Sequence, residues 1–302
     1  RAEQGLFCLI MIYSIRLKIT HNYNQSATNG RHLIRVLPKM IAERQHVTTH
    51  HVEILPKPDT RRDAVDFFGN VTTTCVHSQP HKEMAIKLAC HVEMSPALSW
   101  MDTSGAAKDL RSCWMAVTDL GPESPLHFLG PSQRLRANSA ITEFAKAIYV
   151  PQDSVAANVI SIGQALHDAM TFDSAATDVD TDPADAFQLR RGVCQDFTHI
   201  MILALQAVDI PAAYVSGFLR TLPPEGGVKL EGADAMHAWV RAWCGPAQGW
   251  IEYDPTNAAL VSTDHVVVGY GRDYADLPPV NGHLRSSGGQ VNAQAVDMEV
   301  VS

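Results

Sequence analysis

Residues 192–209 read Gly192-Val193-Cys194-Gln195-Asp196-Phe197-Thr198-His199-Ile200-Met201-Ile202-Leu203-Ala204-Leu205-Gln206-Ala207-Val208-Asp209. Phe197, Ile200, Met201, Ala204 and Val208 recur at the three- and four-residue spacing of one helical face. Pro211 cannot continue a helix, so the segment predicts a helix that opens on Cys194 and stops before 211. Downstream, Ala212–Leu219 reads as a strand and Leu222–Gly232 as a Pro/Gly-rich loop. His237–Cys244 and Trp250–Asp254 read as two more strands. Residues 261–271 and 290–301 are expected to complete a mixed sheet with them, so this half of the chain is α+β.

Upstream the pattern changes twice. Residues 96–190 carry Ala-rich helical stretches around 140–150 and 153–170, separated by Pro151. In the second, Val155, Val159, Ile162, Leu166 and Met170 form one stripe. Residues 12–95 read as β. Tyr13, Ile15, Leu17 and Ile19 alternate with polar partners, Asn29-Gly30 is a turn signal, and His32–Leu37 is expected to return as a second strand. Val47–Leu55, Thr72–Val76 and Met84–Met94 continue the series, which suggests a β-sandwich or barrel module. The expected division is residues 11–95 as a β-rich domain and 96–302 as an α+β domain. Residues 1–10 are expected to be an extension ahead of Met11.

The bulk numbers exclude some classes. The 302 residues suffice for a large core, and 24 Lys and Arg against 32 Asp and Glu give a net charge of −8. That charge argues against a nucleic-acid partner. The apolar run Leu6–Ile12 is too short to span a bilayer. The six cysteines show no Cys-x-x-Cys pair, so they are expected to be reduced thiols in a cytoplasmic protein.

Chemistry concentrates at three residues. A cysteine at a helix N-terminus sits where the helix dipole favours a thiolate, with Arg190 and Arg191 close in sequence. A lone buried cysteine is more commonly a small hydrophobe. His237 and Asp254 change that balance, because Gly245–Gly249 can close a hairpin between their strands. If Cys244 pairs with Gly249, Trp239 lies opposite Asp254, His237 is its diagonal neighbour, and Arg241 faces Glu252. A two-residue slip would set His237 directly opposite Asp254. Both registers put His237 and Asp254 on one face; a one-residue slip would separate them. A thiol nucleophile needs a base and a group that orients the base, and Cys194, His237 and Asp254 are the candidates.

Gly192–Phe197, Met236–Val240 and Trp250–Asn257 together resemble the transglutaminase-like superfamily, and within it the bacterial transglutaminase-like enzymes described as cysteine proteases. Tyr214–Phe218, Gly271–Asp276 and Asp66–Asn70 fit the same group, the last resembling the β-rich region ahead of the catalytic core. The resemblance spans about residues 11–300 and implies a papain-like catalytic core preceded by a β-sandwich-like N-terminal domain. It also implies Cys194 as nucleophile, His237 as base and Asp254 as orienter, acting on a peptide or protein amide through a thioester. Thr198 and Asp209 depart from the group's pattern, which has Ala and Gly there.

Protease or amidase activity is the expected outcome; transglutamination and a non-catalytic binding module are the alternatives. No cofactor and no metal centre are expected. Asp178, Asp180 and Asp182 lack the Gly and closing Glu of a calcium loop. Cys75, His77 and His81, like His46, His50 and His51, read as surface strand and loop residues. Gly269-x-Gly271 is too incomplete for a dinucleotide fingerprint. Trp239, Trp243 and Trp250 fall on the catalytic face as cleft walls or core. The Leu222–Gly232 loop, with Gly226-Gly227, could serve as a lid.

Overall fold

The computed structural model describes residues 10–96, 100–221 and 235–301. The lid segment and residues 1–9 of the proposed extension lie outside them. The first strands are β1 (Met11–Ile34), β2 (Gln45–Leu55), β3 (Thr60–Val65), β4 (Val71–His77) and β5 (His81–Met94). Helices α1 (Leu110–Met115), α2 (Ser139–Ile148) and α3 (Val155–Ala169) follow. Next come β6 (Thr171–Phe172), α4 (Pro183–Leu189), β7 (Arg191–Gly192) and α5 (Cys194–Gln206). The chain continues through β8 (Ala212–Leu219), β9 (Ala235–Trp243), β10 (Trp250–Asp254), β11 (Ala259–Leu260) and β12 (His265–Gly271). It closes with β13 (Val280–Arg285) and β14 (Gln290–Val300). No described helix is long and apolar enough to cross a membrane.

Asn29-Gly30 does not make the expected hairpin. β1 runs straight through it as one 24-residue strand. Its first half is flanked by β5 and β14, its second half by β4 and β13. Tyr13, Ile15, Leu17, Ile19, Tyr23 and Ala27 face inward at odd positions, then Gly30, His32 and Ile34 at even ones. The pairing shifts between Thr28 and Arg31, and Asn29 takes φ +50°, so the turn signal marks a bulge that bends the strand. Two four-stranded layers therefore share β1 and enclose one apolar core. β3 is a strand the hydrophobic pattern did not announce: all six of its residues are exposed.

The second sheet has the order β11-β10-β9-β8-β12 and is antiparallel throughout, not mixed. Residues 290–300 do not join it; they pair with β1 from Tyr13 to Tyr23. A strand's alternation reports a half-buried surface but not which sheet it completes. The second sheet is thus inserted between β5 and β13.

Helix α5 packs on this sheet and against α2, α3 and α4. Every residue from Gln195 to Leu205 is buried, so the apolar face read from the sequence is part of a helix enclosed all round. Two signals in it have local causes. The Asp196 carboxylate accepts the Val193 N–H at 2.8 Å and the Thr177 hydroxyl at 2.6 Å, and a Cβ on Gly192 would sit 2.5 Å from its Oδ2. Asp209 takes φ +61° after the helix, which is why glycine suits that position.

The exposed edge of β12 is covered by side chains from the N-terminal layers. The Gln45 amide donates to the Val267 carbonyl and accepts the Val267 N–H, both at 2.7 Å. The Asn70 amide does the same for Tyr270 at 2.8 Å. Asp66 accepts the Asn70 N–H at 2.9 Å, so Asp66–Asn70 is an edge clamp between the two units.

Candidate active site

Cys194 is the first residue of α5 and is partly exposed. Arg190 and Arg191, expected nearby, are engaged elsewhere. The Arg190 guanidinium lies over the Phe187 ring at 4.0 Å, and Arg191 faces Asp173 at 3.7 Å. The helix terminus is therefore the local source of positive potential. The Thr198 hydroxyl donates to the Cys194 carbonyl at 2.7 Å within the first turn.

The hairpin adopts the first of the two registers. The Cys244 N–H donates to the Gly249 carbonyl, Trp250 faces Trp243, and Glu252 faces Arg241. Continuing that register sets Asp254 opposite Trp239, with His237 on the diagonal. Imidazole length spans the diagonal: His237 Nε2 donates to Asp254 Oδ2 at 2.7 Å. Arg241 does not ion-pair with Glu252. It takes Glu123 at 2.8 Å and stacks on Tyr270, while Glu252 is held by Arg44.

Asp254 is fully buried and serves two purposes. Its Oδ1 accepts the N–H groups of Thr256 and Asn257, which makes the tight turn after β10. Its Oδ2 accepts His237, the Asn257 amide at 2.7 Å and His265 Nε2 at 3.2 Å. Burial opposes its ionisation, but this set of donors outweighs burial and holds the carboxyl far below the usual range.

His237 also meets Cys194. Burial would depress its pKa, but the Asp254 hydrogen bond first, and the contact with Cys194 second, raise it from 6.5 to about 10. With Nε2 committed to Asp254, Nδ1 is the ring nitrogen left for the sulfur. Cys194, His237 and Asp254, from three separate segments, thus form one chain of contacts.

The sequence did not single out His265. The Ser262 N–H donates to its Nδ1 at 3.4 Å, which fixes the proton on Nε2, the atom aimed at Asp254. Its position opposite Leu219 on β12 could not be read without knowing that β12 flanks β8. Tyr214 was also missed as a neighbour of the thiol. Burial, and next the charge of Cys194, push its phenol well above 10, so it stays neutral.

Trp239 is core. It is fully buried, its indole N–H donates to Glu252 at 2.8 Å, and its ring meets His265 edge-on at 5.2 Å. Gly217 opposite His237 makes room for it, since a Cβ there would collide with the indole. Trp243 is likewise buried, and Trp250 lies half-exposed under Arg241.

The other sequence candidates separate cleanly. Asp182 caps α4, Asp180 pairs with Arg134, and Asp178 folds its own turn. His46, His50 and His51 are exposed. Cys75 and His77, expected at the surface, are instead 0% and 3% exposed and lie on the inner face of β4.

Residues 142–255 match the transglutaminase-like superfamily, and residues 13–93 match the bacterial transglutaminase-like N-terminal region. An uncharacterised Mycobacterium leprae protein is 30% identical over 95% of this chain and 97% of its own length. One from Mycobacterium tuberculosis is 33% identical over 79% of this chain and 77% of its own. Among solved structures, a Cytophaga hutchinsonii protein described as a "putative cysteine protease" superposes with a TM-score of 0.74 at 20% identity. That match covers 97% of this chain and 92% of the other. The chain therefore belongs to the transglutaminase-like superfamily, with the N-terminal region of its bacterial members joined to a papain-like α+β core.

Proposed function

We propose that the chain is a thiol-dependent hydrolase of peptide or protein amides, with Cys194 as nucleophile, His237 as acid and base, and Asp254 as orienter. One observation carries this reading: the His237 ring lies between a fully buried carboxylate and a cysteine at a helix N-terminus. A purely structural histidine does not require a thiol on its other side.

The sulfur of Cys194 attacks the amide carbonyl, and the carbonyl π electrons move onto oxygen. The Cys194 backbone N–H, at a helix start where it has no intrahelical acceptor, is the natural first donor to that oxyanion. His237 then gives its proton to the amine nitrogen as the C–N bond breaks, leaving a thioester and a neutral imidazole. Water attacks the thioester, His237 takes a proton from it, and the C–S bond breaks to release the acid and restore the thiolate. Asp254 keeps the ring in one tautomer throughout and stabilises its cation.

Iodoacetamide competition tests the nucleophile near neutral pH. Cys194 should alkylate faster than the other thiols, and Asp254→Asn should slow it. Equal rates at Cys194 and partly exposed Cys113 would overturn the reading. Incubating the chain with a glutamine-containing protein and a fluorescent primary amine separates the two acceptors. Incorporation lost in Cys194→Ala would replace hydrolase by transglutaminase.

A further inference from the structure

We propose that the N-terminal β-sandwich holds a structural zinc-class cation on His32, Cys75 and His77, with His81 completing the set. The proposal is independent of the catalytic reading, because these residues lie on β1, β4 and the start of β5.

The topology brings them together. His32 pairs directly with Cys75 across the β1–β4 ladder, and Gly30 pairs with His77, so all four positions share one face. One ligand atom from each of His32, Cys75 and His77 lies within 4.8 Å of the others. All three residues are at most 5% exposed. A tetrahedral zinc ion sets its nitrogen and sulfur donors about 3.5 Å apart, so closure needs only side-chain adjustment. The His32 ring occupies a slot made by two glycines: a Cβ would lie 2.9 Å from the ring at Gly30 and 2.5 Å from it at Gly282.

The hydrogen bonding leaves lone pairs facing no partner. The Pro56 carbonyl, 2.8 Å from His77 Nε2, takes that N–H, and buried Nδ1 is left with no partner. The Gln79 carbonyl, 3.0 Å from His81 Nδ1, takes that N–H, and buried Nε2 has none. His32 Nδ1 is buried and unpartnered as well. The His81 ring packs 5.1 Å from that of His77. Buried polar atoms without partners are rare in folded proteins, and here two belong to His32 and His77, which converge with the Cys75 thiol, and a third to His81 beside His77. An imidazole that donates one N–H to a carbonyl and turns its other nitrogen inward has the arrangement of a metal ligand with its supporting shell. Imidazole and thiolate donors select zinc-class ions over magnesium or calcium.

The test uses the full chain as Cys194→Ala, stripped of metal with a chelator and kept reduced. That background removes the catalytic thiol, so a thiolate–cobalt absorption band cannot arise there. Cobalt(II) should bind one per chain, with a near-ultraviolet thiolate band and the intense visible bands of tetrahedral coordination. Zinc should displace it. Adding Cys75→Ala should abolish the thiolate band, and adding His77→Ala should weaken zinc binding by about 100-fold or more. Far-UV circular dichroism checks that each variant folds. His81→Ala, at a half-exposed position, tests the same site with little burden on the core and should weaken binding by at least about ten-fold. Absence of tetrahedral cobalt in the Cys194→Ala chain would overturn the proposal. So would a thiolate band that survives Cys75→Ala, or zinc affinity unchanged in His81→Ala.

Discussion

Replacing Arg44 by methionine keeps most of its aliphatic bulk and removes the cation that Glu252 faces. In the native chain the guanidinium grips both carboxylate oxygens, at 2.7 and 3.0 Å. Tyr270 and Trp239 supply the other donors, at 3.0 and 2.8 Å. Burial alone would raise the Glu252 pKa, but Arg44 outweighs it and holds the group at about 2 instead of 4.5. That depression corresponds to about 3 kcal/mol favouring the folded, ionised form. Arg44 is 30% exposed, so solvent screens part of this. Arg44→Met should therefore cost about 2–4 kcal/mol near neutral pH, chiefly because it strands a buried carboxylate. The sign with pH is definite. Glu252 is depressed in the folded state, so its contribution is present above 4.5 and is lost as pH falls through about 2. The stability gap between native chain and variant should thus narrow over that acid range. Urea unfolding, followed by tryptophan fluorescence and far-UV circular dichroism at several pH values, measures the gap. Adding Glu252→Gln should recover part of the loss, giving a coupling energy above about 1 kcal/mol in the double-mutant cycle. A gap below about 0.5 kcal/mol near neutral pH, or one constant with pH, would refute the reasoning.

Asp254→Asn should lower kcat/KM by about a thousand-fold or more, as losing a carboxylate that orients and charges a histidine does elsewhere. The His237 pKa is raised from 6.5 to about 10, so the protonated ring's stabilising contribution is complete below 6.5 and lost as pH rises through about 10. The alkaline limb of the pH–rate profile should lie near there and move to lower pH in Asp254→Asn. His265→Phe should reduce kcat by about ten-fold with KM little changed, and the alkaline limb should also shift down, because one donor to Asp254 is gone. Gly217→Ala should destabilise the fold by about 2 kcal/mol or more in thermal unfolding, since the new methyl collides with the Trp239 ring and the Val266 carbonyl. Asp209→Gly should raise stability by up to about 1 kcal/mol by relieving φ +61°, less the exposed Arg111 contact it removes.

What was readable in the sequence was local. Ala212–Leu219 and Trp250–Asp254 match β8 and β10 in full, because short, largely apolar runs bounded by Pro and Gly mark them without reference to any partner. Hairpin parity placed His237 beside Asp254 since a short loop links their strands. Resemblance connected both to Cys194, which no spacing rule could do. What escaped was decided by distant neighbours. The strand at 290–300 fits either sheet by its own pattern, and only pairing with β1 chooses. Asn29 looked like a hairpin turn because a bulge uses the same left-handed backbone. Arg44 and Glu252 lie 208 residues apart, so the adjacent Arg241 looked like the natural partner. His265 reaches Asp254 only after β12 has docked beside β8.

The long first strand also dictates an order of events during synthesis. One edge of β1 receives β5 soon after it emerges from the ribosome. The opposite edge, from Tyr13 to Tyr23, has to wait for β14, with the whole catalytic unit translated in between. At ordinary elongation rates that wait is on the order of tens of seconds. Throughout it, the backbone N–H and C=O groups of every other residue along that eleven-residue edge lie open to any strand that passes, including another nascent copy. Arg16 and Lys18, charged and outward-facing on that segment, are well placed to keep such encounters short.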